Sequence, residues 1–205
     1  MKDLKIKAKQ RKLLVAEVKL GKTWTVINEH AIPLSKQGYK IIYLTLDSVA
    51  VRNQEKEEFK KAGFKNIFVV GEDKLDLKKI DNIEVAIFTT NCHHDKDLQA
   101  VINHWHIKHN VLLIDDEYDF GATGTKNYMA RKNSTVSAAL KALHENDYLI
   151  CVSATHSQLL TMPITFTSIE RLEPYKDGYG STLGLTGKKH ARRKLAELEI
   201  GRAHV

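Results

Sequence analysis

The chain has 205 residues, of which 42% are hydrophobic and 28% charged, with a net charge of +7 and two cysteines. That composition excludes a disordered chain and a disulfide-stapled scaffold, and it suits one domain, or one domain and a tail. No apolar run reaches the roughly 20 residues a membrane helix needs, and the charged start has no signal-peptide core, so the expectation is no membrane partner and reduced, cytoplasmic thiols at Cys92 and Cys151.

Short apolar runs alternate with amphipathic stretches along the chain. Residues 12–18 predict a strand, followed by a turn and a helix over about 23–37 that Gly38 closes. Residues 40–46 (KIIYLTL) predict a second strand, and Ser48 caps a helix that runs to Ala62 and stops at Gly63. Further strands are expected at 66–70, 84–89 (EVAIFT), 111–115 (VLLID) and 148–153 (YLICVS), with helices at about 95–108 and 134–145. Residues 163–173 predict one more strand, and 188–205 a basic, helix-prone tail. Several strands are apolar throughout, as strands buried on both faces are. Strands alternating with helices imply a parallel α/β sheet covered on both sides, with ligands bound at the carboxyl ends of the strands.

Three of those strand ends carry chemistry. The first runs into Ala16-Glu17-Val18-Lys19-Leu20-Gly21-Lys22-Thr23. A loop between a strand and a helix N-terminus presents free N–H groups to an anion, glycine lets backbone approach phosphate, lysine reaches the outer phosphates, and a threonine hydroxyl ligates magnesium. Lys19, Leu20, Gly21, Lys22, Thr23 and Trp24 are therefore the candidate ATP-binding residues. The pattern G-x-x-x-x-G-K-[ST] is broken because Ala16 replaces its first glycine. The second end is Asp115-Asp116-Glu117-Tyr118-Asp119. Crowded carboxylates repel unless a cation compensates them, and Mg2+ would. Asp116 is the candidate metal residue together with Thr23, Glu117 the residue that orients or deprotonates water, and Asp119 positional. Asp116, Glu117 and Lys22 form the expected catalytic set. The third end is Ser153-Ala154-Thr155, whose hydroxyls could couple the acidic turn to phosphate state.

A phosphate loop, D-E-x-D and S-A-T in that order resemble the first RecA-like domain of superfamily-two (DEAD/DEAH-like) helicases, over about residues 12–155. The segment 46–54 (LDSVAVRNQ) is similar to that family's nucleic-acid-contacting segment. The resemblance implies a three-layer RecA-like P-loop NTPase sheet over 1–160, a C-terminal extension or the truncated start of further structure over 161–205, and a nucleic-acid-dependent ATPase using ATP and Mg2+. It further implies nucleic acid as partner, DNA before RNA, and a second RecA-like domain in cis or trans, without which hydrolysis is weak. The Z-one domain of prokaryotic defence proteins is similar at Val18, Gly21, Lys22 and Thr23, at 113–119 (LIDDEYD), and at 172–180 (LEPYKDGYG). It points to the cytoplasm of a prokaryotic or phage-infected cell.

Competing readings are a small-molecule kinase and a non-hydrolysing nucleotide-binding module, the latter favoured by Lys19 where the helicase loop has glycine. The histidines at 93, 94, 104, 106 and 109 lack the spacing of a zinc motif and are read as surface or packed residues. Trp24 and Tyr43 are read as core aromatics before stacking platforms. Lys60, Lys61, Lys126, Arg131 and Lys132 are candidate phosphate-backbone contacts, equally well explained as solvated faces.

Overall fold

The computed structural model describes residues 6–16, 21–90, 92–116, 138–153 and 165–172. Among these residues, seven strands form one sheet: β1 (Gln10–Ala16), β2 (Lys40–Thr45), β3 (Ile67–Val69), β4 (Val85–Thr89), β5 (Val111–Asp115), β6 (Tyr148–Ser153) and β7 (Ser168–Leu172). Their order is β3-β4-β2-β5-β6-β1-β7, and every pairing is parallel. The predicted strands are all present, within a few residues of their expected bounds. β7 lies beyond the boundary expected at residue 160 and pairs with β1, so the sheet continues into the 161–205 segment.

The order fixes the layers. From β1 the chain steps in one direction across the sheet, to β2 and then β3; from β3 it steps back through β4, β5 and β6 to β7. With right-handed crossovers, the helices of the first run cover one face and those of the second run the other. Buried side chains follow this division. On one face Leu14, Ile41, Tyr43, Ile87, Leu112, Ile114 and Ile150 meet Val26, Ile27, Ala31 and Phe59. On the other, Leu13, Ile42, Leu44, Phe88, Leu113 and Leu149 meet Leu98, Val101, Ile102, Trp105 and Leu140.

The helices show why each sits where it does. In α4 (Asp95–Trp105) the buried residues Leu98, Val101, Ile102 and Trp105 recur at helical spacing, and Asp95 and Asp97 favour its first turn. The Trp105 indole donates to Ile80 O at 3.0 Å. α3 (Val49–Lys61) buries only Glu55 and Phe59. Ser48 occupies its N-cap, but its side chain makes no capping hydrogen bond, contrary to the sequence expectation. The helix after β1 comprises α1 (Lys22–Thr25), a π-helical stretch Val26–Ala31 and α2 (Ile32–Lys36). Pro33 explains the widening. It has no N–H to give to the carbonyl four residues back, and its ring crowds that carbonyl, so the preceding turn opens to the pattern in which Ile32 N–H reaches Ile27 O.

The stretch turns His30 toward a buried ion pair. Lys12 Nζ donates to Glu170 Oε2 at 3.0 Å, and His30 Nε2 lies 3.7 Å from the same oxygen. This pair ties β1 to the edge strand β7. Removing one partner of a buried pair strands the other charge, a cost of about 3–5 kcal/mol. Lys12→Met should lower stability in denaturant unfolding by about that amount, and the double change Lys12→Met/Glu170→Leu should recover most of it.

Candidate nucleotide site

The carboxyl ends of β2, β5, β6 and β1 lie side by side in that order. Register brings them level: Val15 is opposite Ser153, Cys151 opposite Asp115, and Asp115 opposite Leu44. The phosphate-loop lysine, the acidic turn and the serine of the third segment thus reach one edge of the sheet.

Gly21 precedes α1 with φ 69 and ψ 41, the left-handed conformation in which a Cβ is strained. Its carbonyl accepts from the Thr25 amide at 3.0 Å and from the Thr25 hydroxyl at 3.2 Å, which closes the first helical turn. Lys22 is buried and Thr23 half-buried. Lys19, Leu20, Glu117, Asp119, Ala154 and Thr155 lie outside the described residues, as do Lys126, Arg131 and Lys132.

Alternation along β5 sorts the acids. Leu112 and Ile114 face the α1 side of the sheet and Leu113 the α4 side. Asp115 therefore turns toward the α4 side, and Asp116 returns to the face that carries the helix after β1. Both are buried. The Asp116 amide donates to Leu44 O at 3.0 Å, which extends the pairing of β5 with β2 by one residue.

Sequence reasoning missed the residue that joins these parts. Tyr43, read as core, is fully buried, and its hydroxyl donates to Asp116 Oδ2 at 2.7 Å. Its ring is held edge-on against Phe59 of α3, with centroids 5.3 Å apart and planes at 83°. Burial, then the charges of Asp116 and Glu55, raise the phenol well above its ordinary range. The available signal was the single tyrosine in an otherwise aliphatic and threonine-bearing strand, since a buried tyrosine hydroxyl needs a partner. Trp24 departs from its core reading. It is 41% exposed, because Val26, Ile27 and Ala31 take the inward positions of this helix.

No protein-family model matches the chain, and no curated protein matches it in sequence. Solved structures do. The Hef helicase domain of Pyrococcus furiosus superposes with a TM-score of 0.54 at 18% identity, over 80% of this chain and 35% of that one. The DNA-bound helicase MrfA gives 0.51 at 17% identity, over 73% and 23%. B204, the DNA-packaging ATPase of Sulfolobus turreted icosahedral virus, gives 0.52 at 14% identity, over 83% and 78%. The fold is that of a RecA-like helicase or ATPase domain. This chain spans about a third of the Hef helicase domain's length and about a quarter of MrfA's.

Other candidates do not converge on this RecA-like edge. His104 pairs with Asp81 at 2.8 Å, while His106 pairs with Asp147 at 2.7 Å and stacks on His144. Among the described residues, no cluster of three or more His, Cys, Asp or Glu side chains is arranged to hold a metal ion. Lys60 and Lys61 are engaged by Glu57 and Glu58, each at 2.7 Å, as on a solvated helix face. A groove of about 430 Å³ beside Lys65, Asn66 and Asn82 opens near the amino ends of β3 and β4, away from Asp116. No helix among the described residues is long and apolar enough to cross a membrane.

The raised Tyr43 ionisation has a sign that can be checked. An unfolded phenol titrates near 10.0, and the folded one higher. The folded state therefore holds its proton after the unfolded state has lost it, so this contribution is complete below pH 10 and disappears as pH rises beyond it. Between pH 10 and 11, the parent should lose about 1 kcal/mol more stability than Tyr43→Phe. Urea unfolding of both proteins across that range measures the difference.

Proposed function

We propose that the chain is the nucleotide-binding half of an ATP-driven, nucleic-acid-dependent motor. The observation that carries this reading is the gathering at one sheet edge of the buried Lys22, which opens the helix after β1, and the buried Asp116, whose carboxylate is held at 2.7 Å by the Tyr43 hydroxyl. A threonine hydroxyl and a carboxylate are hard oxygen donors of the kind magnesium takes alongside phosphate. Lys22 binds the outer phosphates of ATP, and the backbone from Lys19 to Trp24 cradles them. Thr23 and Asp116 hold Mg2+, which when bound would neutralise charge developing on the transferred phosphoryl group. Glu117 orients the attacking water or takes its proton, and Ser153, Ala154 and Thr155 register the state of the acidic turn.

Nucleic acid, DNA before RNA, runs over the same edge of the sheet near residues 46–54. Similarity in fold to a DNA-bound helicase and a DNA-packaging ATPase supports that choice. Hydrolysis depends on a second RecA-like domain that brings arginines to the phosphates. The order of the motifs also supports placement among superfamily-two helicases, with the Z-one domain of prokaryotic defence proteins as the finer possibility and the cytoplasm as the compartment. Lys19 in place of a loop glycine favours one alternative, a module that binds ATP without hydrolysing it.

The parent chain should bind ATP, and Lys22→Ala should weaken that binding roughly 10- to 100-fold, as expected for loss of charge-assisted phosphate bonds. Fluorescent-nucleotide titration measures it, and equal affinity in the variant would sink the reading. The parent alone should release little phosphate over many turnovers, and an arginine-bearing partner domain should raise the rate about a thousand-fold or more. Fast turnover without any partner would refute that dependence. Binding to a single-stranded DNA oligonucleotide, followed by anisotropy, should weaken steeply with added salt.

A further inference from the structure

We propose that His106, His144 and Asp147 form a pH-sensitive clasp at the amino ends of β5 and β6, in which two stacked imidazoles hold one proton between them and not two.

His106 is the residue after α4, and Asp147 immediately precedes β6. Both side chains are withdrawn from water, at 5% and 0% exposure. Asp147 meets three donors: the Val111 amide at 2.7 Å, the His144 amide at 2.6 Å and His106 Nε2 at 2.7 Å. An ionised carboxylate accepts from all three when Nε2 carries the hydrogen. His106 Nδ1 is then the position at which this ring gains a charge, and it is buried without a hydrogen-bond partner. The His144 ring lies flat against the His106 ring, with centroids 3.7 Å apart and planes at 14°. His144 is exposed, so water can bring it a proton.

Each ring by itself can carry a charge. A proton on His106 makes an ion pair with Asp147, and a proton on His144 is hydrated. Both together put two cations 3.7 Å apart beside one carboxylate that already serves three donors. The other charged groups at this end are engaged elsewhere. On the α4 side, His104 and Lys108 meet Asp81 at 2.8 and 3.0 Å. From the segment before β1, Lys9 meets Glu145 at 2.9 Å, with Lys7 also acting on that carboxylate. His109 is bonded to the Gly38 carbonyl. Among the described residues, Asp147 is the one carboxylate bonded to either ring of the stack.

Relief comes from the exposed ring. When acid supplies the second proton, His144 leaves its place against His106, and the turn from Leu143 to Asp147 loosens with it. The unfolded chain binds both protons below roughly pH 6.5, the ordinary imidazole range, while the clasp binds one. The unfolded state therefore holds more protons in acid. The clasp's contribution to stability is complete above that range and is lost as pH falls through it.

The test uses the full chain as the parent, His106→Gln, His144→Phe and the double variant. Glutamine keeps a donor for Asp147 and phenylalanine keeps a stacking ring, each without an ionisable group. Unfolding constants from urea titrations at about pH 7.5 and about pH 5 give the coupling between the two positions. Charge exclusion requires the coupling to shift by about 10-fold or more, with the parent less stable in acid than the single variants imply. A coupling equal at both pH values overturns the proposal, because rings that titrate independently, or that only pack, give that result. If a variant does not fold, the parent labelled with carbon-13 in its histidine rings replaces the cycle. The His106 and His144 signals should then move in two steps about one pH unit or more apart, and the nuclear Overhauser contact between the rings should vanish during the second. Signals that move in a single step, or a contact that survives both protonations, overturn the proposal.

Discussion

Parallel strand pairing is the constraint from which the rest follows. A parallel partner must be entered from the same end as its neighbour, so each connection crosses a face of the sheet and every carboxyl end emerges on one edge. Here that edge collects Gly21 to Thr23, Asp115 and Asp116, and Ser153 from three widely separated parts of the chain. The same rule covers both faces with helices, which is why β2, β4, β5 and β6 bury nearly every residue they contain. A sheet buried on both sides cannot slip register without moving apolar side chains onto occupied positions, so the strand ends stay level.

Much of this was legible because it depends on local pattern. Continuous apolar runs marked the strands, and the i, i+3, i+4 spacing of Leu98, Val101, Ile102 and Trp105 marked α4. Glycine marked two helix ends, where Gly38 and Gly63 have φ of 89 and 99. What escaped depends on pairs distant in sequence. Tyr43 looks like one more apolar strand residue until β5 is placed beside β2 and Asp116 comes within reach of its hydroxyl. Trp24 looked like core because aromatic residues usually are, but its helix offers a limited inward arc, taken by β-branched and small neighbours. β7 was predicted, yet its place beside β1 was not, since a strand of sequence SIERL gives no hint of which edge it joins.

The buried charges are a second layer of specification. Asp147 is fully buried and accepts from the Val111 amide at 2.7 Å, the His144 amide at 2.6 Å and the His106 ring at 2.7 Å, which pins the amino ends of β5 and β6 to the end of α4. Glu170 does the corresponding work between β1, β7 and the π-helical stretch. Such groups gain less than apolar residues of equal volume would, but they are costly to misplace, so they discriminate against alternative packings. Asp147 lies at the amino end of β6, whereas Glu170 is level with Leu14 and Val152 and reaches back to Lys12.

At that edge, alternation and hydrogen bonding divide two adjacent acids between two tasks. Asp115 faces the α4 side and is enclosed by the sheet, whereas Asp116 faces the helix that follows β1 and is held by the Tyr43 hydroxyl. Tyr43 also packs against Phe59, so the aspartate shares a support with α3, whose first turn lies within the segment read as facing nucleic acid. A shared rigid support lets a displacement at one site be felt at the other only if some element has two stable arrangements. A close-packed sheet resists a second arrangement. On the motor reading, the bistable element is therefore to be sought at the carboxyl edge or across an interface with a second domain, with Tyr43 as part of the fixed frame against which it moves.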